Sequence, residues 1–158
     1  MWHTVSVLVE NKFGVLTRVA GLFSGRGYNI HSLNVAPTHD ATLSRMTIVT
    51  HSNEETIEQI IKQLNKLVEV VKVDVFASDE DHIDRELVLI RVKASSVTRA
   101  DILQTAQIFR AKIVDVQPDT LTLELTGHGS KIEKFIELMG TFEIITINRT
   151  GRIAMARE

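Results

Sequence analysis

Cysteine is absent from the 158 residues, which excludes disulfides, thiolate nucleophiles and cysteine-based metal sites and suits a reducing compartment. Basic charge is not in excess either. Eighteen Lys and Arg stand against 20 Asp and Glu, a net charge of −2, whereas nucleic acid as a main partner calls for a basic face. No apolar run approaches the ~20 residues of a membrane span. The opening MWHTVSVLVE lacks a basic region followed by an apolar one, so no signal peptide is expected and the chain is read as cytoplasmic. The six histidines are scattered without metal-ligand spacing. What remains is an ordinary globular composition, 44% apolar and 24% charged, long enough for one domain or two small ones.

The hydrophobic pattern favours two. Trp2–Val9 alternates like a strand, with Val5, Val7 and Val9 on one side. Val15, Leu16, Val19, Ala20, Leu22 and Phe23 then recur at helical spacing, and Gly25 or Gly27 can end that helix in the left-handed conformation. Tyr28–Ala36 and Thr42–Thr50 read as strands joined by a turn at Pro37-Thr38-His39-Asp40. Ser52-Asn53-Glu54-Glu55 offers a capping box ahead of the stripe Ile57, Ile60, Ile61, Leu64 and Leu67, and Val68–Phe76 closes the unit.

Residues 77–85, ASDEDHIDR, are read as an acidic linker. The same order then returns. Glu86–Lys93 is a strand, and Ser95 or Ser96 caps a helix carrying Ile102, Leu103, Ala106 and Phe109 on one face. Ala111–Val116 and Leu121–Thr126 form a hairpin. Ser130-Lys131-Ile132-Glu133 offers a second capping box before Phe135, Ile136, Met139 and a terminating Gly140. Phe142–Thr150 is the closing strand, with the sequon-like Asn148-Arg149-Thr150 inside it, and the tail GRIAMARE extends it. The expected fold is α+β: two tandem ferredoxin-like βαββαβ domains, residues 1–76 and 86–158, around the linker. Each is small enough to be marginal alone and leaves sheet edges open, so association with another copy is expected.

Nothing in this pattern looks catalytic. The first strand hands over to the first helix through Glu10-Asn11-Lys12-Phe13-Gly14-Val15-Leu16. Amide protons at a helix head lack intrahelical partners and favour an anion. A glycine there lets a ligand approach the backbone, and Asn11 carries both a donor and an acceptor. The α-carboxylate of a free amino acid suits such a place. On pattern alone, Asn11 as a helix cap and Gly14 as a turn residue is the commoner reading.

Other signals are read blandly. Arg18 and Arg26 face solvent, Glu54, Glu55, Glu58 and Glu69 form a solvated face, and Gly127-His128-Gly129-Ser130 is a turn with a Ser130 cap. Arg149, Arg152 and Arg157 make the tail locally basic, as a frayed end or a docking segment. No G-x-G-x-x-G opens a helix after a strand, so a dinucleotide site is not expected.

A family resemblance bears on the first site. Glu10-Asn11, Gly14-Val15-Leu16, Arg18-Val19-Ala20-Gly21-Leu22-Phe23-Ser24, Arg26-Gly27-Tyr28-Asn29-Ile30 and Ser32-Leu33-Asn34-Val35 together resemble the N-terminal ACT domain of the acetolactate synthase (acetohydroxyacid synthase) small subunits. Arg85–Ile90 resembles the opening of that family's second domain, and Arg149–Arg157 its ending. The resemblance implies a regulatory rather than catalytic subunit, which activates a large catalytic subunit and confers feedback inhibition by valine or another branched-chain amino acid. It implies ACT domains paired in a homodimer, with Asn11, Gly14, Val15 and Leu16 of one chain facing Asn29 and Ile30 of the other. Thr17 keeps a hydroxyl near that entrance. Thiamine diphosphate, Mg and FAD would belong to the catalytic subunit, with no cofactor in this chain. A stand-alone ACT sensor of another enzyme or a repressor is the first alternative, although no basic helix-turn-helix is visible. An acylphosphatase-like hydrolase on the same fold is the second, without an Arg/Asn set on a phosphate-cradling loop to support it.

Overall fold

The computed structural model describes residues 1–77 and 80–158. Ser78 and Asp79, inside the expected linker, lie outside the described residues. The chain divides into two units: Met1–Ile83 with Arg152–Glu158, and Asp84–Gly151.

The first unit runs β1 (Trp2–Glu10), α1 (Val15–Gly25), β2 (Ser32–Pro37), β3 (Leu43–His51), α2 (Glu54–Asn65) and β4 (Val70–Phe76). Its antiparallel sheet has the order β2-β3-β1-β4, so the first strand is central, as a ferredoxin-like unit requires. Val5 and Val7 on β1 pair with Ile48 and Met46 on β3 and with Val75 and Val73 on β4. Because strand side chains alternate between faces, this register puts all of these apolar residues on the side the helices cover. Val15, Val19 and Phe23 of α1 and Ile57, Ile60 and Leu64 of α2 complete that core.

The second unit repeats the order with β5 (His82–Lys93), α3 (Arg99–Phe109), β6 (Lys112–Val116), β7 (Thr120–Gly127), α4 (Gly129–Met139) and β8 (Ile144–Arg149). The first two residues of β5 group with the first unit. The sheet order is β6-β7-β5-β8. Val88, Ile90 and Val92 meet Leu125, Leu123 and Leu121 across the β5–β7 pair. They pack with Ile102, Ala106, Ile132, Phe135 and Met139 from the helices. Burying each large side chain contributes about 1.5–3 kcal/mol. Beside this core, Arg149 donates to the buried Glu86 (Nε–Oε1 2.6 Å) and to Glu133 (2.7 Å). The two carboxylates hold its guanidinium firmly protonated, above the ordinary arginine value.

Several local expectations are corrected. Tyr28–His31 is irregular, not strand, because Gly27 takes φ 70° and the Tyr28 amide turns back to the Phe23 carbonyl. Helix α2 is capped by Asn53, whose side chain accepts from Thr56 N at 2.8 Å, and not by Ser52. Helix α4 is capped by His128, whose Nδ1 accepts from Ser130 N, and not by Ser130. Ser95 accepts amide bonds from Val97 and Thr98, one turn ahead of α3, so Thr98 and not either serine stands at the N-cap position. Leu103 points away from the core and is exposed, as is Val68. Gly140 keeps a right-handed conformation, and Glu143 takes the positive φ.

The tail does not extend β8. Gly151 at φ 79° breaks the strand, and Ile153–Ala156 forms a separate strand, β9, which pairs with β5. The Arg157 amide donates to the Asp81 carbonyl, and its Nε to the His82 carbonyl. Residues 82–85 of the acidic stretch are therefore strand, since their backbone groups find partners there.

Candidate functional site at the two ends of the first helix

The entrance of α1 is a built corner. The Asn11 amide donates to the Thr42 carbonyl at 2.7 Å, and its Nδ2 to the Ala41 carbonyl at 3.1 Å. Both carbonyls belong to the β2–β3 turn. That turn is itself tightened by Asp40, which accepts from the Thr42 amide and hydroxyl at 2.9 and 2.7 Å. These bonds hold the Asp40 carboxyl below its usual range. Asn11 is thus not the helix cap. Its Nδ2 is committed within the chain, and its Oδ1 remains as an acceptor suited to an ammonium group.

Gly14 occupies the N-cap position at φ 83° with no side-chain cap. The first helical bond runs from Arg18 N to Gly14 O, so the amides just ahead of it lie at the positive end of the helix dipole. Val15 is buried in the core, whereas Leu16 beside it is 44% exposed. Arg18 is exposed, as the sequence predicts, and its guanidinium also reaches back toward the entrance. A Cβ on Gly14 would lie 3.3 Å from Arg18 Nη1. Its guanidinium is held by an ion pair with Glu69. The Glu69 carboxyl sits below the usual glutamate range, first through its own backbone amide and then through Arg18. The residues predicted at the entrance therefore come together with a cation that sequence reasoning set aside. The available signal was spacing, since Gly14 and Arg18 are four apart and share a helix face.

The exit is elsewhere. Asn29 is exposed, its carbonyl accepting from the Thr50 hydroxyl at 2.8 Å, and Ile30 is half-buried against the core. Between entrance and exit lies the 11-residue helix α1, roughly 15 Å of rise. One chain does not bring Asn29 and Ile30 to Asn11, Gly14, Val15 and Leu16.

Residues 5–72 match the family described as AHAS small subunit-like ACT domain, and residues 85–158 the family described as small subunit of acetolactate synthase. A protein of Archaeoglobus fulgidus named as a probable acetolactate synthase small subunit is 51% identical over 157 residues, which is 99% of this chain and 98% of that one. The chain belongs to the acetolactate synthase small subunit family. The Aquifex aeolicus acetolactate synthase small subunit is 46% identical over 157 residues, 99% of this chain and 81% of its own length. The crystal structure of the small subunit from Thermotoga maritima superposes on all of this chain and 98% of its own, with a TM-score of 0.91 at 43% identity. Family and fold thus agree over both units of this small subunit. Among the described residues, no helix is long and apolar enough to cross a membrane.

Proposed function

We propose that the chain is the regulatory subunit of an acetolactate synthase. It binds and activates the large catalytic subunit and confers feedback inhibition by valine in branched-chain amino acid biosynthesis, in the cytoplasm. Thiamine diphosphate, Mg and FAD reside on the catalytic subunit, and this chain supplies no reacting group. Two first units pair, and each effector lies between an entrance from one copy and an exit from the other. At the entrance the α1 amides and Arg18 receive the carboxylate, Asn11 Oδ1 receives the ammonium group, and Leu16 borders the side chain with the buried Val15 behind it. Asn29 and Ile30 of the second copy close the site.

The observation that supports this reading is the separation just described: the entrance and exit residues lie at opposite ends of one helix, so one amino acid could touch both sets only across two chains. Family membership over both units supports the catalytic-subunit partner over a stand-alone sensor. Mixing the purified chain with the catalytic subunit tests the reading. The rate is expected to rise on mixing and to fall again with valine, while the chain alone shows no activity. An unchanged rate in the mixture would overturn it.

A further inference from the structure

Away from the effector half-sites, the first unit holds a cavity of about 540 Å³ lined by residues of β1, β3, β4 and the tail. Its floor is the face of the sheet opposite the helices, because Arg45 and Ser6 alternate with the core residues Met46, Val5 and Val7 along their strands. Arg45 is half-buried there, and its bond is Nη1 to the hydroxyl of the buried Ser6 at 2.8 Å. No carboxylate pairs with it among the described residues. Lys72, on the same rim, lies 3.7 Å from Asp74 and is largely exposed. Arg157 spends its Nε on the His82 carbonyl, which leaves the end of its guanidinium available. Phe76, Ile83 and Met155 supply apolar wall.

A cation drawn out of water is ordinarily paired. Here the guanidinium meets one neutral hydroxyl and an open volume large enough for a small organic molecule, whose lining also carries the carboxylates of Asp74, beside Lys72, and of Glu158. We propose that this cavity is a second ligand site, which takes an organic anion: a carboxylate or phosphate head on Arg45, with Lys72 and Arg157 flanking, and an apolar body against Phe76 and Ile83. The planar fork of Arg45 suits either head group. The site is independent of the effector corner, which lies on α1 and the β2–β3 turn.

Calorimetry on the full-length chain tests this with phenylacetate and phenyl phosphate, which share a body and differ in head, and with inorganic phosphate, which lacks the body. At least one of the organic anions is expected to bind saturably at millimolar concentration, and more tightly than inorganic phosphate. Arg45→Gln should weaken it roughly tenfold or more through loss of a charge-assisted hydrogen bond, with Arg45→Lys between the two. Gly14→Asp should leave it unchanged. Because Arg45→Gln could disturb folding, amide shifts in the unmodified chain provide a second reading, expected at Ser6 and Phe76 and not at Gly14. No saturable binding of either organic anion, equal affinity in a folded Arg45→Gln chain, or shifts confined to the α1 entrance would overturn the proposal.

Discussion

Replacing Gly14 by aspartate places a side chain and a negative charge at the head of α1 in a single change. The backbone there stands at φ 83°, a conformation that costs a residue with a Cβ about 1–2 kcal/mol. Aspartate falls toward the low end because it tolerates the left-handed region. That cost falls on stability. The cost to binding is electrostatic: two carboxylates about 5 Å apart repel by roughly 1–3 kcal/mol for effective dielectric constants between water and a protein surface. Arg18 moderates the effect, since a Cβ at position 14 lies 3.3 Å from its Nη1 and the new carboxylate can take that guanidinium from Glu69. Drawing Arg18 away from the ligand is itself a loss of affinity. The net expectation is valine binding weakened roughly 5- to 150-fold, with activation of the catalytic subunit largely kept. Gly14→Asn separates the causes, because it carries the same strain and bulk without the charge and should weaken binding less. Calorimetry with valine, run beside the activation assay, reads both quantities. Valine affinity within about twofold of the unmodified chain would refute the placement of the carboxylate at this helix head.

Asn29→Ala should weaken valine binding by about 1 kcal/mol, roughly fivefold, through loss of one side-chain hydrogen bond, read by the same calorimetry without loss of activation. Asn53→Ala removes the cap that accepts from Thr56 N and should cost the first unit about 1 kcal/mol in denaturant unfolding, whereas Ser52→Ala costs less. Phe135→Ala empties the centre of the second core and should destabilise that unit by about 3–5 kcal/mol, read by hydrogen exchange on β5 and β7. The Glu69 carboxyl is lower in the folded chain than unfolded. Its contribution is therefore present above the ordinary glutamate value, about 4.3, and is lost as pH falls through the lower folded value. An NMR titration should show the Glu69 carboxyl moving at lower pH than an exposed glutamate, and Arg18→Gln should shrink the difference.

The order of elements was legible because each strand and helix carries its own period: Val5, Val7 and Val9 at two, and Ile57, Ile60 and Leu64 at the helical spacing. Local stops were less legible, since capping depends on where the backbone turns and not on which polar residues are present. Asn53 and His128 do the capping beside the more familiar Ser52 and Ser130. The strand expected from Tyr28 starts four residues late, because an amide bond back into α1 holds the chain in a turn first. The separate strand β9 follows from Gly151 and a long-range pairing that no local pattern encodes. At the site, the residue types pointed to an anion at a helix head, but the path of Arg18 over Gly14 depends on its pairing with Glu69, 51 positions away in the chain.

The central claim, an effector site shared between two copies, is tested most directly by complementation. Chains carrying Gly14→Asp and chains carrying Asn29→Ala are co-expressed with different tags, and the mixed dimer is isolated. Each parent homodimer is weakened at both of its sites. In the mixed dimer one site combines both lesions, while the other joins an intact entrance to an intact exit. Valine titration is predicted to show one site per mixed dimer with the affinity of the unmodified protein. If entrance and exit served within a single chain, no such site would appear, and that result would contradict the account.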